Sequence, residues 1–281
     1  MKTIIYSLIA IFVFGIVAMS FIKKSNHTEK ILLQSTDSNI SSVSLSQSAE
    51  IISKRLKSYS SEKFELTTIP DKHQIKVVLI DKWDLETTKN LITQKGAIEF
   101  YEAYLNLNLP ELLKGDATLL SLIERKALPD SSVKIGCTTP TGIIKVNLYL
   151  KAAEPNQNYK LVWGSIFENT EHCLYALKLN HGNGVLLKGT DIESFKLNQE
   201  NYIEFKFKKS AIDLWSAITK HNINSPIALV LDDNVIFAPL VRQAIDGGNC
   251  VISGDFTPTQ LKYIASIGSN GELSANFEIV K

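Results

Sequence analysis

The chain has 281 residues, 44% of them hydrophobic and 21% charged, an ordinary globular balance with ample length for a core. Its formal net charge of +1 argues against duplex nucleic acid as a partner. Cys137, Cys173 and Cys250 are widely spaced and odd in number, so they predict neither a disulfide framework nor a Cys-x-x-Cys metal pair.

Ile4 to Ile22 is an uncharged apolar run, IIYSLIAIFVFGIVAMSFI. It approaches the ~20 residues that span a bilayer as a helix. Ala18-Met19-Ser20 also fits a signal-peptidase site, but the run is long for a signal core, which favours an uncleaved anchor. Lys2 and the amino group face Lys23 and Lys24 across it, so flanking charge leaves the orientation open. Ser25 to Lys30 reads as a polar linker. Ile31-Leu32-Leu33 can begin a strand. Asp37 to Ser48, rich in Ser and Asn, reads as loop, with Ser46 capping a helix that carries Ala49, Ile52 and Leu56 inward. Glu50, Lys54 and Lys57 belong to its solvated face. Phe64–Ile69 and Gln74–Ile80 are strand-like around a Pro70-Asp71-Lys72 turn. Asp84 starts a second helix with Leu85, Thr88, Leu91 and Ile92 inward, ended by Gly96, and Ala97–Tyr104 follows as a strand. The order β-α-β-β-α-β is the ferredoxin-like pattern.

Glu111–Ala127 predicts a helix and Pro129–Pro140 a loop. Tyr159–Gly164 and Cys173–Asn180 read as strands, with a turn at His181-Gly182-Asn183-Gly184. Tyr202–Phe207 alternates, with Ile203, Phe205 and Phe207 on one face. Ser210 is expected to cap a helix with Leu214, Trp215 and Ile218 inward.

Ser225 to Ile267 is the most informative stretch. Ile227–Leu231 and Val235–Ala238 form a hairpin about Asp232-Asp233-Asn234. Leu240–Ile245 can be a third strand, and Asp246-Gly247-Gly248-Asn249 a tight turn requiring positive φ at Gly247 or Gly248. Cys250–Ile252 returns. Thr257-Pro258-Thr259-Gln260 opens a final helix as a capping box, with Leu261, Ile264 and Ala265 at helical spacing and Gly268 at its carboxyl cap.

No Walker, Rossmann or nucleophile-elbow motif is present. Asp232-Asp233 is better explained as a turn than as an acid–base pair. Glu171-His172-Cys173 with His181 lacks metal-ligand spacing, because strand neighbours point to opposite faces. No enzyme, cofactor or metal site is therefore expected. Pro239 cannot donate a ladder hydrogen bond, so the strand before it is expected near a sheet edge. There Ile236, Phe237 and Leu240 are candidate contacts for an extended polypeptide.

The runs I-A-L-V-L-D-D-N-V-I-F-A-P, I-D-G-G and I-S-G-D-F-T resemble the first periplasmic domain of the SecD/SecDF protein-export family. I-I-S-K-R-L and T-T-K-N-L-I-T-Q-K-G-A-I-E-F are similar to its base. The resemblance covers roughly Ser46–Tyr104 and Tyr159–Val280. It implies an α+β fold with one transmembrane helix at 1–24, a ferredoxin-like base at 25–104, an inserted head at 105–272 and a closing base strand at 273–281. Taken with the apolar run at Ile4 to Ile22, which gives the single span, it implies a bacterial inner-membrane protein with a periplasmic body. Exported polypeptides or Sec translocon subunits are the implied partners. The family's G-x-D-L-x-G-G segment is replaced by EKILLQS at Glu29–Ser35, and its later membrane helices have no counterpart in this sequence. A chain without proton-pumping of its own is therefore expected. The other reading is an envelope structural protein that reuses the fold.

Overall fold

The structure, a computed structural model, describes residues 28–108, 112–113, 116–123, 128–164, 171–180, 182–254 and 256–280. The expected span at residues 4–22 lies outside the described residues. Among those described, no helix is long and apolar enough to cross a membrane.

The first elements follow the expected order: β1 (Thr28–Ser35), α1 (Ser42–Tyr59), β2 (Phe64–Ile69), β3 (Gln74–Ile80), α2 (Leu85–Thr93) and β4 (Ile98–Glu102). α1 starts earlier than Ser46. Ser41 is its cap, and the Ser41 hydroxyl accepts from the Ser44 amide at 3.0 Å. The serine-rich stretch read as loop is therefore helical from Ser42, because serines that favour turns equally serve helix starts. Ala49, Ile52 and Leu56 are buried as their spacing requires. Asp84 caps α2 through the Thr87 amide.

The pairing departs from the expectation at β4. The sheet under α1 runs β14-β1-β3-β2, with β14 (Phe277–Val280) antiparallel to β1. β4 instead pairs antiparallel with β11 (Ile227–Leu231). It joins a seven-stranded sheet with β5 (Lys134–Thr138), β6 (Tyr159–Gly164), β7 (His172–Lys178), β8 (Leu187–Lys188) and β12 (Asn234–Phe237), ordered β5-β7-β6-β12-β11-β4-β8. A third sheet is β13-β10-β9, from β9 (Ile192–Leu197), β10 (Ile203–Phe207) and β13 (Asn249–Ile252). The remaining helices are α3 (Ala117–Leu122), α4 (Pro140–Ala152), α5 (Lys209–His221) and α6 (Pro258–Gly268). Central strand β11 is apolar in an unbroken run because both its faces are covered, whereas its neighbour β4 carries Glu99 and Glu102 among its apolar residues. Ile98, Phe100, Ile227 and Leu229 pack into the core shared with α1 and α5, while Tyr101, Ala228 and Val230 pack on the opposite side.

Several local expectations are corrected. Lys134–Thr138, read as loop, is strand β5, and α4 follows it directly. Leu240–Ile245 is not a strand; only single bridges form, at Leu240 and Val241. α5 begins at Lys209, so Ser210 is not its cap, and Leu214 faces solvent at 51% exposure while Trp215 is buried. Gly268 is the last residue of α6 rather than a cap. A Cβ there would lie 2.4 Å from the Phe195 ring, so its role is close packing.

The cysteine expectation is also overturned. Cys137 and Cys173 stand directly opposite each other on β5 and β7 and form a disulfide, leaving Cys250 free and buried. A long-range strand register brings them together, and no local spacing reveals it. Replacing both with alanine should lower stability by about 2–4 kcal/mol. The measurement is the thermal midpoint under non-reducing conditions; an unchanged midpoint would show that the β5–β7 pairing needs no cross-link.

One charged side chain organises the middle of the molecule. Arg55 on α1 is fully buried. Its guanidinium donates to the carbonyls of Leu91 at 3.3 Å, Lys95 at 2.8 Å and Gly271 at 2.6 Å, and also to that of Gln94. These acceptors include carbonyls left unpaired where α2 ends, a place where a cation is favourable. Burial pulls the Arg55 pKa down to about 10, with Asp232 the leading opposing influence, so the group stays charged near neutrality. Asp232 occupies the β11–β12 turn at φ 47°. Its carboxylate accepts from the amides of Gly96 at 2.8 Å and Ala97 at 2.7 Å. α1, the end of α2, the chain after α6 and the hairpin tip thus meet at one polar knot.

Candidate functional site

Phe205 of β10, with Phe100 and Trp215, forms the floor of an apolar cleft of about 410 Å³. Phe205 and Phe207 point inward to meet Phe100 and Trp215. The Phe207 and Trp215 rings lie 4.7 Å apart, and Phe100 is 5.3 Å from Phe207. The Phe237–Ile245 segment forms one wall and β13 the other. Asn249, Cys250, Val251 and Ile252 all line the cleft, although Cys250 and Ile252 point inward and Val251 is 59% exposed. Residues from both faces of a strand line one cavity only when the cavity abuts the strand's edge. Among the described residues β13 is indeed the terminal strand of its sheet.

The wall segment is pinned to α5. The Thr219 hydroxyl accepts from the Ile245 amide at 2.9 Å, and the Ser216 hydroxyl donates to Asp246 at 2.5 Å. Gly248 closes the segment at φ 67°, and a Cβ there would lie 2.9 Å from the Ile212 side chain. Gly247 has no such constraint; its nearest neighbour would be 3.5 Å away. Gly248→Val should therefore cost about 1–3 kcal/mol or more, and Gly247→Val far less. Equal melting temperatures for the two variants would contradict this geometry.

The structure separates the three residues singled out by sequence. Phe237 and Leu240 line the cleft, whereas Ile236 is buried at 7% exposure in the main core. The edge expected at β12 is not there. β12 lies between β11 and β6, pairing with both, and the Pro239 carbonyl accepts from the Ile227 amide at 3.2 Å. The proline marks a bend toward Leu240 rather than a free edge. Sequence reasoning missed Trp215, Cys250 and Val251 as cleft residues. No local signal in the sequence marks them, because the unpaired flank of β13 follows from the strand order of its sheet.

The Cys250 thiol reports on this cleft. Burial, partly offset by Trp215, pushes its pKa from the ordinary 9.0 up to about 12. The thiolate is the reactive form, so Cys250 should resist alkylation at pH 8. A rate near that of a free thiol at pH 8 would contradict the closed geometry. The sign for stability follows. The folded form keeps its proton longer, so the contribution is full below about pH 9 and is lost as pH rises toward about 12.

For the metal reading, Cys173 is committed to a disulfide and His181 lies outside the described residues. Among the described residues no group of three His, Cys, Asp or Glu could hold an ion.

An α+β body whose aromatic-floored cleft abuts a strand edge defines the class of molecule. Comparison with known proteins then names its relatives. Residues 175–275 match the model of the SecDF P1 head subdomain. Protein translocase subunit SecD of Calditerrivibrio nitroreducens is 27% identical over 260 residues, covering 91% of this chain and 44% of that protein. SecD of Rickettsia bellii is 34% identical over 92 residues, 33% of this chain and 18% of that one. The chain thus spans less than half the length of these relatives. The crystal structure of SecDF in a super-membrane-facing form superposes with TM-score 0.54 at 17% identity, over 91% of this chain and 30% of that one. A second structure, of a membrane component SecDF that enhances protein export, gives TM-score 0.52 at 17% identity, over 90% of this chain and 98% of the other. The SecD/SecDF first periplasmic domain is the family these findings support.

Proposed function

We propose that the chain is a membrane-anchored, extracytoplasmic SecD-like domain that contacts polypeptides during or after Sec-dependent export. The observation that carries this reading is the position of the cleft. Trp215, Phe237, Leu240, Ile245, Cys250 and Val251 line it and all fall within the 175–275 head match. An extended chain adding to the outer edge of β13 would gain main-chain hydrogen bonds while its side chains enter the apolar cleft. Such binding is weak and sequence-tolerant, since ordering the client costs entropy.

The remaining parts of the reading have separate supports. The sheet order β14-β1-β3-β2 suits a ferredoxin-like base in which β14 takes the fourth-strand place that β4 leaves. The base is then residues 25–104 with 273–281, and the head residues 105–272. The apolar run at residues 4–22 supports the anchor. The Cys137–Cys173 disulfide supports an oxidising, extracytoplasmic compartment. A binding module, rather than an enzyme, is the role this reading assigns.

A photo-cross-linking amino acid at Phe237, in living cells, should capture exported precursors or export-channel subunits. The same probe at Lys57, exposed on α1, should not. Equal capture at both positions, or at neither, would favour the envelope structural protein instead.

A further inference from the structure

α4 is apolar on both sides, which for a surface helix requires a second cover. Its inner side packs on the seven-stranded sheet through Val146, which is fully buried, and through Tyr149 and Leu150. Its outer side carries Ile144 and Leu148, each 65% exposed and one turn apart. Lys145 and Lys151 are exposed as well. At 3.6 residues per turn they fall on opposite sides of the Ile144–Leu148 ridge. The helix PTGIIKVNLYLKA contains no acidic residue. Among the described residues, Glu154 follows the end of the helix, and Asp116 accepts from the Tyr149 hydroxyl at 2.6 Å on the flank.

We propose that the outer face of α4 rests on the acidic phospholipid surface of a bilayer, with Ile144 and Leu148 below the headgroups and Lys145 and Lys151 reaching up to phosphates. An apolar ridge between two lysines matches an interfacial helix, whose long basic side chains extend toward the headgroups while their stems stay in apolar surroundings. The charge is complementary to an anionic leaflet. The occupant is lipid rather than a free partner because of the tether. Five residues, 23–27, separate the end of the apolar run at Ile22 from Thr28 in β1, a reach of about 20 Å at most. The body is thus held beside the bilayer, where weak contacts are multiplied by effective concentration. This inference rests on the anchor reading given above.

The test uses the full chain reconstituted in vesicles containing phosphatidylglycerol. A fluorophore is attached to Leu148→Cys and, as the control, to Leu214→Cys on the exposed face of α5. Acyl-chain-brominated lipid should quench the probe at 148 at least twofold and leave that at 214 unchanged. Lys145→Glu with Lys151→Glu, or vesicles of phosphatidylcholine alone, should reduce the effect. Absent quenching at 148, equal quenching at both positions, or shielding from iodide without lipid quenching would overturn the proposal, the last pointing to a protein cover. Carbonate-resistant flotation reads the anchor separately. Flotation without quenching at 148 sinks the α4 proposal alone, and quenching in a chain that carbonate extracts sinks the anchor alone.

Discussion

Replacing Arg55 with methionine should lower the unfolding free energy by about 3–5 kcal/mol, the range for breaking a buried charge network by removing one partner. The guanidinium serves four carbonyls, on Leu91, Gln94, Lys95 and Gly271. Methionine fills similar volume and donates nothing, so these acceptors lose their partner in a dry site. For a body of this size each kcal/mol is worth roughly 2–4 °C in Tm, so a fall on the order of 10 °C is expected. Lysine should recover only part of it, because one ammonium cannot reproduce a planar fork of donors. A methionine variant within about 1 kcal/mol of the parent would show that the α1–α2–α6 junction is held by apolar packing alone.

Asp232→Ala should cost about 3 kcal/mol, since two backbone amides lose a charge-assisted acceptor and alanine tolerates φ 47° poorly. Asp232→Asn should cost less, because asparagine accepts the left-handed turn and keeps one acceptor oxygen. Urea unfolding gives both values. The Arg55→Met/Asp232→Ala double variant adds a further check. The two side chains belong to one network, so their losses should fall short of additivity by at least 0.5 kcal/mol. Strict additivity would mean that two independent contacts, not one knot, join the hairpin tip to the end of α2.

Local signals were readable where one element decides its own fate. The capping box at Thr257 and Gln260 starts α6 as read, and Ile203, Phe205 and Phe207 form the buried face of β10, with Phe205 reaching the cleft. Arg55 shows the limit of such reading. Its position continues the Ala49, Ile52, Leu56 stripe, so helical spacing already put a charge on the buried face, and only its carbonyl partners, up to 216 residues away, explain why it is tolerated there. Pro239 was read as the end of an edge strand. The ladder donor it lacks is immaterial, because its carbonyl is used and β6 pairs with the start of β12. β4 looked like a base strand by order, yet its partner is β11, more than a hundred residues on. The Cys137–Cys173 pair depends on the same kind of long-range register. For the candidate site, Phe237 and Leu240 were legible as apolar residues beside a bend. The edge they serve, β13, was not, because which strand lacks a neighbour is a property of the sheet.

A cleft that receives exported polypeptides must bind an unfolded secretory chain with measurable affinity. Fluorescence anisotropy of a labelled, reduced secretory precursor, titrated with the full chain in detergent, measures it. Saturable micromolar-range binding is predicted. It should weaken at least tenfold when Leu240→Trp fills the cleft and Val251→Glu sets a charge beside the β13 edge, while Tm stays within a few degrees of the parent. Binding that is unchanged in this folded, blocked variant would contradict the assignment of the cleft as the contact surface.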